Sequence, residues 1–430
     1  MKFTAAGDAI IQRRIPEDFE GYSELSPFIS DADASFFNFE TTLNREGECR
    51  TSQRNGGTFL RTVPEVALDL RKFGFNLTTF NNNHALDFFY DGLETTFDAI
   101  EEAGFVQAGV GRNLAEASAP KYLDTKNGRV ALIAVNTSFN IENMAGAQSE
   151  RSPGRPGING LRVNKYMKVT ESELAFIKEL SERTMINAQY DIESREGYHP
   201  VRPSDEAALG DMKFILGEKS EYVMEIEKSD IERVKKAIFE AKLQADYIIV
   251  SVHSHQIAGD KKENPSKFLV DFAHTCIDEG ANAVIGHGPH LLRPIEIYKN
   301  SPIFYSLGDF VLELYSVEYA PAEFFARYNM PINSTVHELL KKRSKDFTVG
   351  LMTDKRMFMS VIPIWETEGT DITSLKLVPI MLSMNGNRSE EGLPRIASPD
   401  EIIGYLAPMC EPYGVTLSLS ADGNLIDCKW

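Results

Sequence analysis

The chain is poor in several features that mark special compartments or partners. Four cysteines in 430 residues, Cys49, Cys276, Cys410 and Cys428, stand far apart with no C-x-x-C pair. That argues against a disulfide framework, and the expected state is free thiols in a reducing compartment. No apolar run is long enough to span a bilayer, and none after Met1-Lys2-Phe3 has signal-peptide character. The expectation is a cytoplasmic chain without a membrane span. Positive charge is short as well: 45 Lys and Arg stand against 63 Asp and Glu, a formal net charge of −18. With no basic stretch to offset it, nucleic acid and anionic lipid are poor partners. An anionic substrate, small molecule or polymer, would need a local cation, and a bound metal would supply one.

What remains is the composition of an ordinary globular protein, 42% hydrophobic and 25% charged. At this length one hydrophobic core stops growing, so a large domain with insertions or a domain with an appendage is expected. Short apolar runs read as strands at 2–6, 34–38, 75–80, 106–108, 129–136, 245–252, 283–285 and 303–306. Helical spacing falls between them at 64–73, 91–103 and 265–279, with Gly104 placed as a C-terminal cap residue. This alternation describes a sheet with helices on its faces. Residues 1–348 read as the main domain, with a mostly helical insertion around 168–240 and a polar, helical stretch at 316–348. Residues 349–430 read as strands and a helix that complete or extend it.

Polar residues suited to metals recur where the apolar runs stop. Asp8 follows the first run and Glu40 the second; Asn83 and His84 end the third. His253 and His255 close Asp246–Val252, and His287 and His290 close Ala283–Gly286. Loops beyond the carboxyl ends of strands form the natural crevice of an open α/β sheet. Carboxylate oxygen and imidazole nitrogen together suit Mn, Zn or Fe, so one or two divalent metals are expected. Each residue also has an ordinary reading. Asp8 could mark a turn, Glu40 a cap, and His253 or His255 a buried hydrogen bond; His287 and His290 could be surface residues of the Gly288-Pro289 turn.

The motifs then resemble the bacterial capsule and poly-gamma-glutamate synthesis proteins of the CapA (PgsA-like) type, within the calcineurin-like metallophosphoesterase superfamily. The resemblance rests on Gly7-Asp8, Asn38–Leu43, Asn82–Asp87, Gly109–Ala117, His253-Ser254-His255, Gly286–His290, Pro294-Ile295-Glu296 and Phe304–Phe310. It implies an α/β fold of the calcineurin-like kind, a layered β-sandwich flanked by helices (αββα). It implies Asp8 as a ligand of one metal, Glu40 as the bridging carboxylate, and Asn83 as a ligand of the second metal. His84 would protonate the leaving group, and His253, His287 and His290 would be ligands, with His255 a further ligand or a supporting group. The histidine usual two residues after the first aspartate is replaced by Ile10, which weakens that first site. Asp309 stands where asparagine is usual and is read as capping the next turn.

The expected activity is metal-dependent phosphoester hydrolysis, with Arg155 and Arg293 as candidates to hold substrate anions. Two alternatives stay open: a non-hydrolytic component of capsule or polyglutamate synthesis, and an amide hydrolase acting on gamma-glutamyl or cell-wall material.

Overall fold

Strands buried on both faces read as continuous apolar runs, and a parallel sheet is where such strands belong. Tyr247–His253 is the clearest case, buried along its whole length. In the computed structural model, which describes residues 1–384 and 387–430, it pairs in parallel with Gly128–Asn136 on one side and Ala283–His287 on the other. Ser301–Phe304 adds a fourth parallel strand, and Lys121–Thr125 and Ile295–Tyr298 close the two edges antiparallel. The result is a six-stranded sheet.

A second sheet, of ten strands, is built around Lys2–Ile10. Its parallel half runs from this strand through Ala34–Phe39 and Leu77–Thr79 to Val106–Gln107. Asp309–Leu312 also pairs with the first strand in parallel. The antiparallel half comes from the C-terminal region: Met359–Glu368 pairs with Lys2–Ile10, and Asp371–Leu382 follows. The tail strands therefore continue the main sheet.

The two sheets share a core. Phe3 stacks on Tyr247 at 4.0 Å between ring centroids and on Trp365 at 5.3 Å. Trp365 Nε1 donates to the Tyr247 hydroxyl at 3.0 Å, so the buried indole keeps its one polar atom satisfied. Around them Phe36, Leu132, Ile249, Ile285 and Leu377 are buried in one cluster. A second cluster lies on the other face of the ten-stranded sheet, where Phe37, Phe39, Phe73, Phe75 and Phe310 pack together. The four cysteines are free, three of them buried. No helix among the described residues is long and apolar enough to cross a membrane.

Residues 161–231 form a separate compact unit. The expected helical insertion at 168–240 is corrected here in bounds and in content. The unit has two helices, Glu171–Thr184 and Ala188–Arg195, but also a four-stranded sheet of Val163–Val169, Glu206–Leu209, Met212–Leu216 and Glu221–Ile226. These strands carry charges such as Lys213, Glu221 and Glu225 on exposed positions, which broke the apolar runs that mark a strand. A small core of Val169, Leu174, Ala207 and Phe214 holds the unit together. The helix Lys228–Lys242 straddles its C-terminal boundary.

Candidate metal centre

The functional side chains are placed by the strands that carry them. Asp8 is not beyond its strand but within it, where the pairing register of Lys2–Ile10 breaks. At that break it lies opposite Asn38 on one neighbour and Asp309 on the other. The break depends on a close approach: Asp8 N donates to Gly308 O at 3.1 Å, and a Cβ on Gly7 would lie 1.7 Å from that same oxygen. Only glycine fits there. Glu40 follows Ala34–Phe39 directly, with its amide donating to Ala9 O at 3.1 Å. His253 and His287 are paired residues at the ends of adjacent parallel strands. His290 sits in a left-handed conformation, φ +59, after the Gly288-Pro289 turn. A non-glycine residue held there costs energy that surrounding contacts must offset.

These groups converge. Glu40 Oε1 lies 3.9 Å from His253 Nε2, 3.9 Å from His290 Nε2 and 4.0 Å from His84 Nε2. Asp8 lies 3.6 Å from His287 Nδ1 and 3.8 Å from His290 Nδ1. His253 Nε2 is 2.6 Å from Asn83 Oδ1 and 3.1 Å from His255 Nε2. Among the described residues three groups of donor atoms are each compact enough to hold one ion: Asp8, His253 and His287; Glu40, His253 and His255; Asp8, His290 and Asp309. Of the eight histidines in the chain, five meet here.

A ring of neighbours fixes the donors. Asn38 Nδ2 donates to Asp8 Oδ1 at 2.7 Å and to Glu40 Oε2 at 3.3 Å, tying the two carboxylates together. Asn38 is held in turn by Asn82. Gly288 N donates to the other Asp8 oxygen at 2.8 Å. His84 Nδ1 is 2.7 Å from Asp87 Oδ2, and Asp87 accepts from the amides of Gly56 and Leu60 at 3.0 Å each. A proton on Nδ1 is thereby favoured, and Nε2 is left facing Glu40.

The electrostatics suit a cation. Glu40 is pushed well above the ordinary carboxylate range by burial, and then by the negative charges of Asp8 and Asp309. Burial likewise lifts Asp309 to about 6, partly opposed by His290. Burial holds His253 and His255 well below the usual imidazole range, helped by His255 in the first case and by His290 in the second, and burial takes His287 down to about 4. In His290 burial pulls downward, but Asp309 and Asp8 outweigh it and the value rises. Glu40 Oε1 and Asp309 Oδ2 are buried and have no hydrogen-bond partner among the described residues. A buried anionic oxygen without a donor is costly. Neutral imidazoles and unpaired carboxylate oxygens turned toward one another fit a divalent metal.

The sequence expectations fare unevenly. Asp8, Glu40, Asn83, His84, His253, His255, His287 and His290 are brought together. The two arginines stand apart from this cluster. Arg155 is exposed in a loop, where its backbone bridges Gly146, and it is not among the residues lining the pocket above the centre. Arg293 is fully buried and donates to the carbonyls of Lys262, Ser254 and Gln256 at 2.9, 3.4 and 3.0 Å. It pins the loop after His253, with each of its three nitrogens already donating to a carbonyl of that loop. Asp309 does not merely cap a turn: its Oδ1 lies 3.0 Å from His290 Nδ1, inside the centre. Asn38 and Asp87 stood within the matched motifs without a role assigned. Their signals were their places, Asn38 two residues before Glu40 and Asp87 three after His84.

The family model for the bacterial capsule synthesis protein PGA_cap matches residues 2–313. The protein y4sH of Sinorhizobium fredii is 28% identical over 98% of this chain and 92% of its own length. The capsule biosynthesis protein CapA of Bacillus anthracis is 22% identical, over 73% of this chain and 60% of its own. A solved structure of a hypothetical protein from Thermus thermophilus aligns with 88% of this chain and 98% of its own, at 12% identity and a TM-score of 0.39. The matched span holds every donor of the centre, and the chain belongs to the bacterial capsule synthesis protein family PGA_cap.

Proposed function

We propose that the protein is a metal-dependent hydrolase of phosphoesters, with the layered αββα architecture of calcineurin-like metallophosphoesterases. One observation carries the reading: Glu40 Oε1, buried and unpaired among the described residues, lies within 4.0 Å of imidazole nitrogens from three separate chain segments. Asp8, His287, His290 and Asp309 would hold one metal; Glu40, Asn83, His253 and His255 would hold the other. Bound there, divalent metals supply positive charge for a phosphoryl group and make water acidic at neutral pH.

The chain's own groups do the rest. Asn38 keeps the Asp8 and Glu40 carboxylates in register. Arg293 holds the loop that bears His255. Asp87 fixes the His84 ring by Nδ1 and leaves Nε2 facing the centre; with both ring nitrogens protonated, Nε2 can hand its proton to the departing oxygen. Burial of nearly every donor keeps bulk water away, which strengthens each charge interaction.

The names of the relatives support a second reading, a component of capsule or polyglutamate synthesis that binds metal without hydrolysis. The same donors would also serve cleavage of an amide. Elemental analysis of purified protein, with assays of Mn-loaded protein on aryl phosphate mono- and diesters, separates the readings. We expect metal bound by the centre and turnover that falls 10²- to 10⁴-fold in His84→Ala while metal content stays. A full metal complement without turnover of either ester would overturn the phosphoesterase reading.

A further inference from the structure

Neither Arg155 nor Arg293 lines the pocket above the metal centre, yet the pocket has a cation of its own. A cavity of about 300 Å³ has Asn83, His84, His255 and His290 at its floor. Leu314, Leu340, Phe347 and Leu351 form an apolar wall, and Gly56 to Thr58 form part of the lining as well. Arg343 stands in that lining too. It is the last residue of the helix Val336–Arg343, which opens with a reciprocal cap: Glu338 N donates to Thr335 Oγ1 at 3.2 Å, and Thr335 N to Glu338 Oε2 at 2.8 Å.

The two lysines before it are occupied. Lys341 lies 3.7 Å from Asp346, and Lys342 donates to Tyr328 O at 2.7 Å. Arg343 Nη1 donates to the Thr58 hydroxyl at 2.9 Å, and among the described residues it makes no ion pair. Thr58 follows two residues after Gly56, whose carbonyl accepts from Asn83 Nδ2 at 2.8 Å. Two residues of chain span at most about 7 Å. The guanidinium is thus tied, through one short loop, to a metal-ligand candidate.

We propose that Arg343 holds the anionic group of the substrate, and that the apolar wall seats a compact hydrophobic substituent attached to it. The inference rests on the reading of the floor as a metal centre that receives an anion. A guanidinium fork matches the oxygens of a phosphoryl or phosphonyl group and binds them by charge-assisted hydrogen bonds. The cavity is at the small end of ligand sites, roughly 300–1,000 Å³, which limits the substituent to about one ring. The site therefore selects aryl or short alkyl phosphoesters over bare phosphate and over bulky polar esters.

The test is calorimetric titration of Mn-loaded protein with phenylphosphonate and with inorganic phosphate, beside aryl phosphate turnover. We expect the protein to prefer phenylphosphonate. Arg343→Met should weaken both ligands tenfold or more with metal content unchanged, and Arg343→Lys should recover part of the loss. Leu340→Ser should weaken phenylphosphonate several-fold and leave phosphate as it was. Should Arg343→Met not fold, Arg343→Gln, which keeps a donor for Thr58, reads the same loss. Wild-type affinity in the Met or Gln variant overturns the proposal, as does a protein that binds neither ligand. Arg343-dependent binding without turnover leaves the anchor standing and removes only the hydrolase reading. Turnover with Arg343-independent binding does the reverse.

Discussion

At the floor of the pocket each donor sits on or just past a buried strand, and its neighbours are fixed by sheet pairing; the rim, from Leu314 to Thr353, is short helices and turns. Beneath that floor Asp8, Glu40 and His253 are fully buried, whereas Arg343, Phe347 and Val349 on the rim are partly or largely exposed. The rim also runs through three consecutive left-handed residues, Lys345, Asp346 and Phe347, with φ of 49, 59 and 57. Each costs about 1–2 kcal/mol relative to a right-handed turn. A floor set by ladders of backbone hydrogen bonds moves only if a sheet moves; a rim of short elements yields locally. Chemistry that needs fixed geometry belongs on the first, and recognition that varies belongs on the second.

The contrast breaks if floor substitutions leave metal content intact. Glu40→Ala removes the oxygen that three imidazoles approach, so it should lose metal and reduce turnover by at least 10³-fold, with far-ultraviolet circular dichroism unchanged. Normal metal stoichiometry in that variant would place the ion elsewhere. Asp87→Asn is the next step down. It keeps the size of the group that orients His84 but removes its charge, and orienting partners of this kind are worth about 10- to 100-fold. The loss should appear in kcat with metal retained, since Asp87 touches no donor group other than His84 among those named above.

A third prediction uses pH on chelator-treated protein. Asp309 titrates near 6 when folded, against about 3.9 unfolded. The folded state thus holds the proton more tightly. That contribution is fully present below the unfolded value and is lost as pH rises from about 4 through 6. Asp309→Asn removes this slope. Across that window the variant should gain on the order of 2 kcal/mol relative to the parent in urea unfolding. His253, His255 and His287, depressed by burial, act in the opposite sense and lose stability as pH falls below the ordinary imidazole value, which is why the comparison is between variants. Parallel pH profiles for the two proteins would mean that the Asp309 carboxyl is not perturbed as its burial implies.

How far the sequence carried depends on the same division. Parallel strands buried on both faces leave unbroken apolar runs, so Tyr247–His253 and its neighbours were legible together with the residues at their ends. The strands of the 161–231 unit were not, because one face is exposed and its charges interrupt the run. Asp309 escaped because its meaning lies in pairing with Asp8, a contact between the two ends of the matched region. Arg343 escaped for the same reason: no local pattern ties a helix end to Thr58. Residue type announces the positive charge of Arg293 but not the three loop carbonyls to which its guanidinium donates.

The smallest expected effect tests that last distinction. Arg155 is exposed, and its place in the fold is held by backbone, with Gly146 N donating to Arg155 O at 3.0 Å. Arg155→Ala should therefore change stability by less than about 0.5 kcal/mol and turnover by less than about twofold. Arg293→Met, by contrast, removes the donors to the part-buried carbonyls of Lys262 and Gln256 and strands the buried carbonyl of Ser254, at about 1–3 kcal/mol for an unsatisfied group. Two arginines that look equivalent on paper should separate cleanly in a thermal melt. A larger loss of turnover in Arg155→Ala than in Arg293→Met would show that the exposed loop reaches the substrate.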